Sequence, residues 1–164
     1  PVPPEQLVSY IYEPAVSPHL AAQLEKRPVD MKKIQSDFHH IATQFDVVVA
    51  EGSGGIICPL RMDSSPIMLT DVIQTLHLPI LIVAHAGLGT INSTVLTAAY
   101  AKQHNITVNG IILNQYDSNN LMHRDNKKQI EHLTGIPVVA CVKSNETELS
   151  VSAELLLHLC NDIS

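Results

Sequence analysis

The 164-residue sequence has no tryptophan, and aromatic residues make up only 4% of it, so any core must be built from aliphatic side chains. Charge is scarce as well. Charged residues amount to 16% against an apolar fraction of 45%, which places much of the chain in an interior or an interface. Ten basic residues, spread along the sequence, face sixteen acidic ones, and the formal net charge is −6. A nucleic-acid partner needs a clustered basic face, so none is expected. Apolar runs such as Leu78 to Ala84 fall well short of the ~20 residues that span a bilayer. A soluble protein without membrane association is expected. The three cysteines, Cys58, Cys141 and Cys160, lie far apart and lack the paired spacing of a zinc site, which suits a reduced, cytoplasmic compartment. Nine histidines are present, yet His39 and His40 are adjacent and diverge on a helix, while the others stand alone. No histidine metal centre is expected.

What the sequence does hold is organised around Phe45-Asp46-Val47-Val48-Val49-Ala50-Glu51-Gly52-Ser53-Gly54-Gly55. Val47 to Ala50 read as a strand buried on both faces, because a strand with one wet face alternates polar and apolar. That strand would stop at Glu51, where the carboxyl ends of parallel strands open into a ligand-binding crevice. Gly52, Gly54 and Gly55 then let the backbone turn and let a ligand approach the peptide groups. The plainer alternative is a tight turn after a core strand, with Glu51 merely solvated.

The length fits a single domain covering residues 1–164. The start, Pro1-Val2-Pro3-Pro4, favours an extended conformation and lacks Met, and it reads like the interior of a longer protein. Leu7 to Tyr12 is a short strand or a loop. Ser17 can cap a helix over His19 to Glu25 that accepts Pro18 in its first turn. From Asp30, the helical spacing of Ile34, Phe38, Ile41, Ala42 and Phe45 predicts an amphipathic helix leading directly into the central strand. A helix from about Met68 to Leu76 follows. Leu78 to Ala84 is a second buried strand, ending in His85-Ala86-Gly87-Leu88-Gly89-Thr90. Thr90 or Asn92 can cap the next helix, to about His104, and free N–H groups at such a start favour an anion. Strands at Val108 to Leu113 and Pro137 to Val142, with helices at Asp125 to Leu133 and Val151 to Leu159, complete an alternation that predicts an α/β fold: a parallel sheet with helices on both faces.

Four stretches, in order and with similar spacing, resemble the dethiobiotin synthetase family: Ser17-Pro18-His19-Leu20-Ala21-Ala22, Asp46 to Gly55, Gly87-Leu88-Gly89-Thr90-Ile91-Asn92, and Gly110-Ile111-Ile112-Leu113-Asn114. The resemblance covers nearly the whole chain. It implies a P-loop NTPase-like fold and an ATP-dependent ligase of biotin biosynthesis, which carboxylates 7,8-diaminononanoate with carbon dioxide and closes the ureido ring. It further implies Mg²⁺ held by Glu51, and ATP beside Gly52, Ser53, Gly54, Asn114 and Gln115. Asn114 would read the adenine edge, where an amide can both donate and accept. Gly54, Leu88, Gly89, Thr90 and Asn92 would bind the diamino acid, with its carboxylate at the helix start, across a homodimer interface.

Two departures qualify the resemblance. No Gly-x-x-x-x-Gly-Lys-Ser/Thr occurs in the sequence, although the family begins with such a loop. The chain therefore reads as the C-terminal part of a longer domain, with the catalytic lysines expected upstream of Pro1. In addition, Val142-Lys143-Ser144 stands where the family usually has a proline lining the adenine pocket. The competing reading is a non-catalytic α/β binding or dimerisation module that has lost phosphate binding.

Overall fold

The computed structural model describes residues 2–149 and 151–160, and the chain separates into two compact units, Pro1–His77 and Leu78–Ser164. In the first unit, the proline-rich start is not extended throughout. Pro4 opens a single helical turn, α1 (Pro4–Leu7), because its fixed φ suits the first helical position. The irregular segment after it is tied down by side chains: Tyr12 donates to the Arg27 carbonyl at 2.8 Å, and the Asp30 amide donates to the Tyr10 hydroxyl at 2.9 Å. Helix α2 (Pro18–Leu24) follows Ser17, whose side chain makes no capping bond; the expected serine cap is corrected to an uncapped start with proline at the first position.

Helix α3 (Met31–Ala42) is capped by Asp30, whose carboxylate accepts from the Lys32 amide at 3.0 Å. It does not lead into a strand. Val47 to Ala50 form no strand and pair with no neighbour among the described residues, and Val49 is 84% exposed, so the predicted central strand buried on both faces is overturned. β-branched residues favour extended backbone, but a strand needs a hydrogen-bonding neighbour. Among the described residues, Val47 to Ala50 find none. The unit's sheet is an antiparallel pair of short strands, β1 (Pro59–Arg61) and β2 (Ile67–Met68), not a parallel one. Asp63 shapes the connecting turn by accepting from the Ser65 amide and from Arg61, both at 2.8 Å. Helix α4 (Leu69–Thr75) follows β2 at once, and Val29, Cys58, Leu60 and Ile67 form the unit's buried core.

The second unit follows the expected alternation of strands and helices. β3 (Ile80–His85), α5 (Thr90–Gln103), β4 (Val108–Asn114), α6 (Leu121–Thr134), β5 (Val138–Val142) and α7 (Ala153–Cys160) build a parallel three-stranded sheet, in the order β3-β4-β5, flanked by helices. The apolar centre is β4, where Ile111 and Leu113 are fully buried and pack with Ile82, Ala98, Ile130 and Val138. Gly110 sits in β4 because a Cβ there would lie 2.7 Å from Val139 Cγ1. β3 occupies an end of this sheet and, contrary to the expectation of full burial, leaves Val83 65% exposed. α6 begins four residues before the predicted Asp125, since Asn120 Oδ1 caps it by accepting from the Met122 amide at 2.9 Å. Asn109 ties α7 to β4 by donating to the Leu159 carbonyl at 2.9 Å.

Candidate functional site

The predicted site residues fall into two groups, one in each unit. In the first unit, Glu51, Gly52, Ser53 and Gly54 form an exposed loop that follows the unpaired segment, so Glu51 does not stand at the end of a paired strand. Gly54 has φ +76 with open space where a Cβ would be, a conformation natural to glycine. A cavity of about 460 Å³ brings Ser53, Gly54 and Gly55 together with Ser17 and Pro18 at the start of α2. The sequence suggests no link between these stretches, more than thirty residues apart. Cys58 lines the same cavity, and burial pushes its thiol up from the ordinary range, so it stays protonated and serves packing.

Glu51 suits Mg²⁺ by chemistry, since that ion prefers hard oxygen donors and commonly takes one or two carboxylates with phosphate oxygens and water. Among the described residues no group of three His, Cys, Asp or Glu side chains is placed to hold a metal. Asp71 in α4 is engaged otherwise: its Oδ2 accepts from the Met68 amide at 2.7 Å and fixes the start of the helix.

In the second unit, the ends of β3 and β4 and the start of α5 converge. The register places His85 opposite Asn114, and the Ala86 amide donates to the Asn114 carbonyl at 2.9 Å. Asn114 Oδ1 accepts from the Gln115 amide at 2.8 Å. Gln115 itself has φ +56. The loop from Ala86 to Gly89 then turns into α5 through Gly89, at φ +89, which occupies the N-cap position. The expected cap by Thr90 or Asn92 is thereby corrected. Both lie inside the helix; Thr90 is buried with its hydroxyl 3.3 Å from that of Thr94, and Asn92 is exposed. A glycine N-cap leaves first-turn N–H groups without a side-chain acceptor, and Leu88 and Gly89 amides have no acceptor among the described residues. Such an arrangement favours an anion.

A protein family described as an AAA domain matches residues 2–150. The ATP-dependent dethiobiotin synthetase of Clostridium botulinum strain 657 is 46% identical over 160 residues, which is 98% of this chain and 70% of that protein. The chain belongs to the dethiobiotin synthetase family. Enzymes of the same name from C. botulinum strain Alaska E43 and from Brachyspira hyodysenteriae are 52% and 50% identical, each over 84% of this chain. The chain spans about three fifths of their length, 61% and 63%.

Within this member of the dethiobiotin synthetase family, two polar residues take part in the second group without being legible as such in the sequence. His85 Nδ1 accepts from the Gly87 amide at 2.9 Å, which leaves Nε2 as the donor to Gln115 Oε1 at 2.6 Å. Asn126, buried in α6, donates to the Ala86 and Gly87 carbonyls. The only signal for Asn126 was a polar residue four positions before the core residue Ile130, on the same helical face.

Proposed function

We propose that this chain serves an ATP-dependent dethiobiotin synthetase acting in biotin biosynthesis on 7,8-diaminononanoate and carbon dioxide. The observation that carries the reading is identity of 46% across 98% of the chain to an enzyme of that name, together with a helix start whose N–H groups suit a carboxylate. One amine of the diamine takes up carbon dioxide as a carbamate, losing a proton. A carbamate oxygen then attacks the γ-phosphorus of ATP, and ADP leaves. The second amine attacks the resulting carbonyl, phosphate departs, and the ureido ring closes.

In this reading the Leu88 and Gly89 amides and the Asn92 side chain hold the substrate carboxylate. Asn114 and Gln115 face the adenine, where the Asn114 carboxamide keeps its NH₂ group for an acceptor while its oxygen is turned to the Gln115 amide. Gly52 to Gly54 flank the phosphates. Glu51 would hold Mg²⁺, which supplies charge neutralisation on the phosphate oxygens. Homodimerisation and a cytoplasmic setting belong to the same proposal; Leu88, 93% exposed at the tip of the carboxylate loop, suits a place at a subunit interface. The test is to supply the intact protein with diaminononanoate, ATP, Mg²⁺ and ¹³C-bicarbonate. Dethiobiotin carrying the label in its ureido carbonyl is expected by mass spectrometry. Unlabelled diamine recovered in full, with the protein folded and ATP present, would leave the non-catalytic module as the better reading.

A further inference from the structure

The loop that enters α5 is aimed by a side chain from another helix. Asn126 lies in α6, 7% exposed, and its Nδ2 donates to the Ala86 carbonyl at 2.9 Å and to the Gly87 carbonyl at 3.1 Å. Both hydrogens of the amide are thereby used. Helix formation does not account for the residue, since asparagine is a poor helix former and a buried amide without partners is costly.

The consequence for the loop follows from peptide planarity. In a trans peptide the carbonyl and the N–H point in opposite directions. Holding the Gly87 carbonyl on Asn126 therefore turns the Leu88 N–H away from α6. The preceding N–H, that of Gly87, is already taken by His85 Nδ1. Leu88 then presents the first N–H of the loop that is free for an incoming anion, and Gly89 follows it, whereas the Thr90 amide donates to the Gly87 carbonyl at 3.3 Å.

We propose that Asn126 is a positioning residue for the substrate: by fixing the Gly87 carbonyl, which also accepts from the Thr90 amide at 3.3 Å, it presents the Leu88 amide to the carboxylate of the diamino acid. The inference rests on the reading that this loop binds the carboxylate, and the experiment separates the two. The intact enzyme is assayed with diaminononanoate and with 2,3-diaminononane, the same vicinal diamine with a methyl group in place of the carboxylate. The wild-type protein should prefer the acid in kcat/KM by about a hundredfold, the scale of charge-assisted hydrogen bonds. Asn126→Ala should cut that preference by about tenfold or more, through KM for the acid, with KM for ATP unchanged. A wild-type preference that Asn126→Ala leaves intact, or an equal loss for both diamines, overturns the role of Asn126 while the carboxylate reading stands. No preference in the wild-type protein overturns the carboxylate reading, and the inference with it. Where the alanine variant does not fold, Asn126→Ser, which keeps one donor in place of two, is read by the same ratio and the same outcomes.

Discussion

Glu51 is exposed and accepts no hydrogen bond from any described residue, so its carboxylate contributes little to folding. Replacing it by glutamine keeps the shape and removes the charge. If Glu51 holds the metal, Glu51→Gln should lower turnover of the intact enzyme by about a hundredfold, or ~3 kcal/mol, as expected for one group stabilising phosphoryl transfer. The melting temperature should not move. Wild-type turnover at limiting Mg²⁺ would remove Glu51 from the metal site. Asn92, also exposed and in the first turn of α5, gives a parallel case for the other substrate. Asn92→Ala should raise KM for the diamino acid several-fold and leave KM for ATP as it was; an equal rise in both would assign Asn92 to structure. Such candidates can be picked out from sequence because short motifs name residue types in fixed order. Their neighbours cannot, since the bonds from His85 to Gln115 and from Asn126 to Ala86 join positions 30 and 40 residues apart.

At the scale of elements, the three strands of the second unit were readable because each is a short apolar run bounded by polar or glycine residues, and each lies near its predicted span. The same argument failed at Val47 to Ala50. Apolar β-branched composition reports a preference for extended backbone, whereas pairing depends on what lies beside the segment, which local sequence does not contain. Helix starts were misplaced for a related reason: the cap is chosen by backbone geometry, so Gly89 opens α5 and Asn120 opens α6. Gly110 offers a test of how closely β4 and β5 pack. A methyl group there meets Val139 Cγ1 at 2.7 Å and Leu81 Cδ2 at 3.4 Å, and Val139 has only χ1 with which to yield. Gly110→Ala should destabilise the protein by about 1–3 kcal/mol, the usual range for overpacking, although alanine otherwise suits a strand better than glycine. A denaturation midpoint equal to or above that of the wild-type protein would show that the sheet opens to accept the methyl group.

On the scale of the whole molecule, several large apolar side chains stand exposed among the described residues. Val47 is 44% exposed, Val49 84%, Val83 65% and Leu88 93%. β3, which carries Val83, is an end strand of its sheet and so has one unpaired edge. Exposed apolar residues on an unpaired edge recruit further chains, because association then both completes hydrogen bonds and removes hydrocarbon from water. The relatives are longer than this chain, which spans 61% of one of them, and the 164 residues contain no Gly-x-x-x-x-Gly-Lys-Ser/Thr to cradle a triphosphate. A polypeptide of residues 1–164 alone is therefore expected to self-associate with rising concentration in sedimentation velocity. Titration calorimetry should show no tight binding of ATP, because glycine loops without the lysine supply neither its charge to the β- and γ-phosphates nor the nest of amides around them. A monodisperse monomer that binds ATP with micromolar affinity would mean that the loop at Glu51 to Gly55 cradles phosphate by itself, and the phosphate-binding role would then pass to that loop.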